Sequence, residues 1–364
     1  MRENPPERRM MKVAIRPLIS TDLHGIDRLR TEVYSQSPRI VDADWQASLW
    51  RWLETHPLAG EMRRWVVVAG DEVVGHLAAL PQYYRINGQR VVAYTPADYA
   101  VLPQYSRHAI LLMRKFFSTA VNCVSCAVIP AVIKIQTRLG SEEAGKLQFA
   151  AKLLNVSAIP NFPTAIPAPI SQLINWGLWV VDRVLSDPLV ADDPRVEVFD
   201  RFDKSFDDLF ESVAAATPCM PEKDAAFLRW RYGPGSPQAS ATLLGIRSEG
   251  RLLGYAVLWV TPQGDGYLLD LTTRPGHHDV ARSLLRQTVR HFRRAKVRSI
   301  RHLFIPSPTS AQTKDLWRLG FLPVNKRRPA LLVRFADRSL HNVANDTANW
   351  SYSTGDGEAT FWAR

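Results

Sequence analysis

The chain has 364 residues, of which 46% are hydrophobic, and this length allows two domains that each bury a core of their own. Its formal net charge of +11 favours acidic partners, such as nucleotides, phosphorylated substrates, nucleic acid or an anionic membrane, without choosing among them. Three cysteines cannot form a full disulfide framework, so the composition argues against a disulfide-stabilised secreted domain and favours a reducing compartment.

The N-terminal segment, residues 1–11, is polar and is expected to be flexible. It lacks the apolar core of a secretory signal, so we expect a cytoplasmic protein. From Lys12 the pattern predicts a strand and then a helix, which is capped within residues 20–22 and repeats its apolar residues at helical spacing.

Residues 65–92 predict an antiparallel meander. Two apolar strands flank a Gly-Asp turn, and Asn87-Gly88 is the strongest short hairpin signal in the chain. The meander delivers the chain to a further apolar strand, which carries Asp98 and ends at Pro103.

A strand, a loop and a helix are predicted over residues 97–117. The N-terminus of such a helix exposes backbone N–H groups at its positive end, which suits a pyrophosphate. The small residues Ser106 and Ala109 would let a ligand approach the backbone, and Arg107 and His108 would add cationic donors. An ordinary connection between a strand and a helix would show the same pattern.

This stretch has a second copy further along the chain. The segment from Asp98 to Pro103 is echoed by the segment from Asp270 to Pro275, and each precedes an amphipathic helix. Upstream of each copy, a turn opens an apolar strand that contains a glycine, Gly75 or Gly254. The matched order of elements indicates an internal duplication.

The order of these elements resembles the GNAT acyltransferase fold. The segment Val101-Leu-Pro-Gln-Tyr-Ser-Arg-His-Ala-Ile110 is similar to that family's acyl-CoA loop, usually written V-x-P-x-Y-R-G-x-G-I. Ser106 stands at the family's Arg, and Arg107 and Ala109 stand at its two glycines. Trp317-Arg-Leu-Gly-Phe321 resembles the late L-G-F signature, at which a helix leads into a strand.

The resemblance implies an α/β protein with mixed sheets, built as two tandem GNAT-like domains. It also implies that the first loop binds acetyl-CoA or another acyl-CoA, through Val101, Tyr105, Ser106, Arg107, His108, Ala109 and Ile110. We expect an N-terminal GNAT-like domain over 12–156, a proline-rich linker and packing helix over 157–195, a C-terminal GNAT-like domain over 196–336 and a tail over 337–364.

Residues 170–184 form an apolar stretch with two tryptophans, which is too short and too polar to span a membrane. We favour packing between the domains, because an interfacial membrane helix usually carries a strongly basic face and this segment has none. Peripheral membrane contact stays open as the alternative. The C-terminal tail either folds back over a substrate cleft or frays.

Cys123 and Cys126 have the C-x-x-C spacing, but no second such pair and no paired histidines accompany them. We therefore expect buried structural thiols and no metal site. In the family, the region after this strand often supplies a tyrosine that protonates the departing thiolate. The first half has no tyrosine there, so water or the thiol's own acidity would have to serve.

Two further segments are rich in arginine. The first would present an aromatic and cationic surface to the sugar or phosphate of a substrate, through Arg229, Trp230, Arg231 and Tyr232. A position of Trp230 in the core, with the arginines at its rim, explains this pattern equally well. The second is a row on a predicted helix, formed by Arg282, Arg286, Arg290 and Arg293. No nucleic-acid motif accompanies the row, so we do not expect nucleic acid as a partner.

The sequence therefore predicts an acyl-CoA-dependent N-acyltransferase that transfers an acetyl group to the amine of a small polar or amino-sugar acceptor. By resemblance, the amine attacks the thioester directly. This requires a held pyrophosphate, a group that takes the ammonium proton, and strand N–H groups near Ala100 and Val101 that polarise the thioester carbonyl. Asp98 is the candidate base, and a purely structural role is its alternative.

Two other functions stay open. One is a GNAT-like binding or scaffold protein that has lost its chemistry, because both loops depart from the glycine pattern. The other is FemX-like aminoacyl transfer from an aminoacyl-tRNA.

Overall fold

The computed structural model describes residues 12–35, 42–156, 168–186, 193–325 and 328–358. The predicted flexible N-terminus, most of the proline-rich linker and the last six residues lie outside this range. Within it, the chain forms two mixed sheets of eight strands each, covered by helices. No helix of the described part has the length and apolar character needed to cross a bilayer.

The strands, in chain order, are β1 (Val13–Pro17), β2 (Arg63–Ala69), β3 (Glu72–Ile86), β4 (Gln89–Val101), β5 (Cys123–Ala127), β6 (Glu142–Lys146), β7 (Gln148–Leu153), β8 (Val196–Phe199), β9 (Cys219–Pro221), β10 (Thr242–Ser248), β11 (Arg251–Val260), β12 (Gly266–Thr273), β13 (Ser299–Ile305), β14 (Leu322–Pro323), β15 (Ala330–Arg334) and β16 (Tyr352–Ser353). The helices are α1 (Leu23–Val33), α2 (Ala43–Glu54), α3 (Ser106–Thr119), α4 (Pro130–Arg138), α5 (Ala168–Ser186), α6 (Ser205–Ala214), α7 (Ala225–Tyr232), α8 (His278–Arg294), α9 (Thr313–Arg318) and α10 (Arg338–Ala344).

The two sheets have matching topologies. The first runs β1-β2-β3-β4-β5-β15-β6, and the second runs β8-β10-β11-β12-β13-β7-β14. In each, the fourth strand pairs antiparallel with the third and parallel with the fifth. Asp98 on β4 and Asp270 on β12 therefore occupy equivalent strands, as expected for a duplication.

The sixth strand of each sheet comes from the other half of the chain. β15, from the C-terminal half of the chain, lies between β5 and β6 of the first sheet. β7, from the N-terminal half, lies between β13 and β14 of the second sheet. Each exchanged strand pairs on both sides and so leaves no edge exposed at that position. The predicted domain limits at 156 and 196 consequently do not separate the two sheets.

Helices bury apolar faces against both sheets. α8 packs through four residues at helical spacing, namely Ala281, Leu285, Val289 and Phe292. Burying one large side chain of this kind stabilises the fold by about 1.5–3 kcal/mol. The C-terminal segment is also part of the core, since Trp350 and Tyr352 are buried. The tail does not fray within the described residues, which extend to Glu358.

Candidate active site

The fourth strand of the first sheet carries a bulge at Asp98. Between its pairs at Ala97 and Ala100, β4 holds one residue more than β3. The backbone of Asp98 has a φ of 51°, the left-handed conformation that non-glycine residues rarely adopt. An extra residue of this kind bends its strand and increases the local twist. The bulge therefore bends β4, so that it does not continue regular pairing with β5.

A gap opens between β4 and β5 on the C-terminal side of their one pair, Tyr94 with Cys123. It contains a cavity of about 310 Å³. The cavity is lined, mostly by apolar side chains, by Tyr34, Thr95, Pro96, Asp98, Tyr99, Met113, Ser125, Cys126, Ala127, Val128, Ile129, Val132, Gln136 and Glu358. Such a gap can admit a thin, mostly apolar chain while the diverging strands offer it backbone polar groups.

The loop predicted to bind the cofactor leads from β4 into α3. Ser106 and Arg107 are exposed at the start of the helix, and Ala109 is half-buried. The His108 ring points inward, with Nδ1 3.3 Å from the carbonyl oxygen of Tyr105. None of the predicted cofactor residues lines the cavity, but Met113, one turn beyond Ala109, does. The helix N-terminus and the cavity thus lie along one face of α3.

Asp98 itself is held in a buried ion pair. Its carboxylate accepts hydrogen bonds from Arg30 Nε at 3.2 Å, and one oxygen lies 2.9 Å from His76 Nδ1. Burial raises the pKa of Asp98, but Arg30 and His76 outweigh this effect and hold the pKa well below its ordinary value. Such a carboxylate is a poor proton acceptor at neutral pH. This geometry favours the structural role over the predicted role as base.

A second carboxylate lies at the same place, and no sequence motif predicted it. Glu358 lines the cavity, and its Oε2 accepts a hydrogen bond from the backbone N–H of Asp98 at 3.2 Å. It comes from the far end of the chain, where the pattern predicted a turn-rich, acidic tail that either folds back over a substrate cleft or frays. No local motif could have placed it beside β4.

Two tyrosines also reach the cavity. Tyr34, at the end of α1, donates its hydroxyl to the carbonyl oxygen of Tyr99 at 3.3 Å. The Tyr99 hydroxyl is buried and has no hydrogen-bond partner among the described residues. Burial raises the pKa of both phenols, so each keeps its proton at neutral pH. Both tyrosines precede α3, whereas the family resemblance places the acid after that helix, so the sequence did not indicate them.

The region that builds this gap matches a known domain family. Residues 14–133, from β1 into α4, match the family model described as an acetyltransferase (GNAT) domain. This part of the chain is therefore a GNAT domain. No curated protein matches the sequence.

Several solved structures share the fold over almost the whole chain. A conserved protein of unknown function from Enterococcus faecalis, titled a probable N-acyltransferase, aligns with a TM-score of 0.58 at 12% identity, covering 91% of this chain and 74% of that one. A GCN5-related N-acetyltransferase from Anabaena variabilis aligns with a TM-score of 0.57 at 15% identity, covering 90% and 73%. Saccharomyces cerevisiae N-myristoyltransferase with bound myristoyl-CoA aligns with a TM-score of 0.60 at 11% identity, covering 92% and 84%.

The second GNAT-like sheet has the same gap, but the chain fills it with its own tail. β12 carries one extra residue at Leu269 and separates from β13 beyond Tyr267. β16 pairs with β13 in this space, and the Thr354 hydroxyl bonds both the N–H and the carbonyl of Leu303 at 2.9 Å. A Cβ on Gly355 would lie 1.8 Å from the Tyr232 hydroxyl oxygen. No side chain larger than that of glycine therefore fits at position 355.

A buried ionic cluster fixes the tail in the second gap. Lys223 Nζ lies 3.0 Å from Asp356 and 3.1 Å from Asp270, the equivalent of Asp98. Arg231 donates from Nε to the carbonyl oxygen of Gly355 at 2.9 Å and from Nη2 to Gly357 at 3.1 Å. These bonds hold the segment that carries Glu358 into the first gap.

The predicted aromatic and cationic surface is mostly buried. Trp230 stacks on Trp52 at 4.4 Å between ring centroids, and each indole N–H donates to the other residue's carbonyl. Arg231 and Tyr232 are buried as well, and Arg229 is exposed. Trp230 thus lies in the core and joins α7 to α2 of the first half, whereas Arg231 is buried as well and does not lie at a solvated rim.

The C-x-x-C thiols are free and lie on β5. Cys123 is buried, whereas Cys126 is half-buried and lines the cavity. Burial raises the pKa of each thiol to about 12, so neither is a thiolate at neutral pH. Among the described residues, no group of three or more histidine, cysteine or acidic side chains is arranged to hold a metal.

Proposed function

We propose that the protein is an acyl-CoA-dependent N-acyltransferase with one working site, the gap between β4 and β5. The observation that carries this proposal is the open cavity beside the Asp98 bulge, inside the part of the chain that matches the GNAT domain. In the second half, the tail occupies the equivalent gap, where β16 pairs with β13.

In this proposal, the pyrophosphate lies at the N-terminus of α3, against the backbone of the loop from Val101 to Ile110. The positive end of the 14-residue helix and the exposed Arg107 favour the negative charge. The pantetheine chain then runs along α3 into the gap. The thioester carbonyl points to backbone N–H groups beyond the bulge, near Ala100 and Val101.

Glu358 is the proposed base in place of Asp98. Both carboxylates line the cavity, but Asp98 is paired with Arg30 and His76, and its lowered pKa makes it a weak proton acceptor. Glu358 would take the proton from the attacking ammonium, and the freed amine would form the C–N bond as the C–S bond breaks. Tyr99 is the proposed acid that gives a proton to the departing thiolate, because it lines the cavity and its hydroxyl has no hydrogen-bond partner among the described residues. The second proton that the nitrogen loses in forming the amide would restore the Tyr99 phenol.

The acceptor is proposed to be the amine of a small polar molecule such as an amino sugar, and the acyl chain acetyl or longer. The likeness to a structure that holds myristoyl-CoA supports a longer chain, and the apolar lining of the cavity agrees with it. The second candidate is a binding protein without catalysis, which the missing glycines at Arg107 and Ala109 favour.

The test is release of free CoA thiol from acetyl-, octanoyl- or myristoyl-CoA in the presence of glucosamine, with glucose as the matched acceptor that has no amine. Amine-dependent release supports the enzyme. Binding of acyl-CoA without release by any amine supports the binding protein. Binding of an aminoacyl-tRNA instead of acyl-CoA would replace both with aminoacyl transfer.

A further inference from the structure

Helix α5 exposes its large apolar side chains. Leu173, Trp176 and Trp179 are 65%, 61% and 54% exposed, and Ile170 is also exposed. Single exposed apolar residues are common on protein surfaces, but four on one helix form a patch that marks an interaction site. Tryptophan is typical of such a site where one side is apolar and the other is wet.

The helix contacts the protein along a different stripe. Ser171, Asn175 and Leu178 are half-buried and recur at helical spacing. Asn175 Oδ1 accepts a hydrogen bond from the backbone N–H of Val156 at 2.8 Å. The predicted packing of this segment between domains therefore does not account for the tryptophans, since the stripe that packs is a different one.

Basic side chains lie beside the exposed tryptophans. A cavity of about 400 Å³ is lined by Trp179, by Arg183 of the same helix, and by Arg293 and Lys296 at the end of α8. The Arg183 guanidinium lies 5.2 Å from the centroid of the Trp179 ring. The basic face that α5 lacks in its own sequence is thus provided partly by α8.

We propose that α5 and this basic cavity form a docking surface for an anionic lipid bilayer. The apolar side chains would lie at the boundary between headgroups and acyl chains, with the helix parallel to the membrane. Arg183, Arg293 and Lys296 would contact lipid phosphates. Charge complementarity selects this occupant, because an apolar patch bordered by cations fits a negatively charged interface better than a neutral one.

The experiment is co-sedimentation of the full chain with vesicles of phosphatidylcholine alone and with 30% phosphatidylserine. We expect at least tenfold tighter binding to the anionic vesicles, weakened at high salt and not competed by inorganic phosphate at the concentration of the lipid phosphate. Equal binding to both kinds of vesicle, or no binding to either, overturns the proposal. If neither vesicle binds, a protein becomes the expected partner of this surface.

Two pairs of variants locate the surface. Trp176→Glu should lower vesicle binding at least tenfold, whereas Trp317→Glu, which changes a 68% exposed tryptophan on α9, should leave it unchanged. Lys296→Glu should lower vesicle binding severalfold, whereas Arg318→Glu should leave it unchanged. Thermal unfolding checks that each variant is folded. Vesicle binding that survives Trp176→Glu in a folded protein overturns the proposal. The assay needs no acyl-CoA, so its outcome is independent of the proposed enzymatic function.

Discussion

The backbone N–H of Asp98 donates a hydrogen bond to Glu358, a residue 260 positions further along the chain. This bond joins the bulge of the first sheet to the tail that fills the second. It makes the two halves unequal, since the tail closes one gap and places a carboxylate in the other. The protein thus has two copies of one sheet topology, and its tail is bound in the gap of the second copy.

Glu358→Gln tests the assignment of the base. The amide keeps the shape of the side chain but cannot take a proton, so we expect kcat to fall by about 10²–10⁴-fold. Acyl-CoA binding, measured by calorimetry, should be unchanged. Glu197→Gln, at an exposed position on β8, is the control and should keep full activity. Full activity of Glu358→Gln would mean that another group acts as the base.

Asp98→Asn tests whether the ion pair is structural. Arg30 is 0% exposed, so loss of Asp98 removes its buried acidic partner and leaves the cation beside the part-exposed Asp27, 3.3 Å away. We expect a loss of about 3–5 kcal/mol in the free energy of unfolding. Glu211→Gln removes an exposed partner of Arg85 and should cost less than about 1 kcal/mol. Denaturant unfolding measures both, and equal costs would mean that Asp98 is not the structural partner described above.

Ala109→Trp tests whether the backbone at this position contacts acyl-CoA or whether Ala109 only packs against the fold. If acyl-CoA lies against this backbone, the indole should abolish the ligand-dependent rise in Tm while leaving the protein folded. If Ala109 only packs against the fold, the change should instead cost about 1–3 kcal/mol of stability with ligand binding retained. Ala47→Trp, at an exposed position on α2, serves as the control.

Much of the fold could be predicted from local patterns. The sequence predicts the hairpin at Asn87-Gly88 and the equivalence of Asp98 and Asp270. Both predictions depend on turn residues and on hydrophobic periodicity, which are visible within a short segment. The exchange of β7 and β15, the stacking of Trp52 on Trp230 and the arrival of Glu358 beside Asp98 are pairings between distant segments. No local pattern encodes them, so the site could be predicted only in part.

The buried Asp356 gives the protein a distinctive pH dependence. Burial raises its pKa to about 6 from an ordinary 3.8, although Lys223 opposes the shift. The folded state therefore binds this proton more tightly than the unfolded chain. The contribution of Asp356 to stability is fully present below about pH 4 and is lost as the pH rises through 6.

Asp356→Asn removes this titration. The difference in unfolding free energy between the natural protein and the variant should therefore fall from about pH 4 to 6. Asp98 acts in the opposite direction and below this window, because its pKa is lowered. Urea unfolding at several pH values measures the difference, and a constant difference across the window would contradict the buried, raised pKa.

We expect the gap between β4 and β5 to bind one acyl-CoA per chain. Isothermal titration calorimetry of the full chain with acyl-CoA tests it most directly. We predict one site per chain, which is lost when Val132→Trp fills the cavity and kept when Trp317→Ala changes a distant exposed residue. Two sites per chain, or one that persists in folded Val132→Trp, would contradict it.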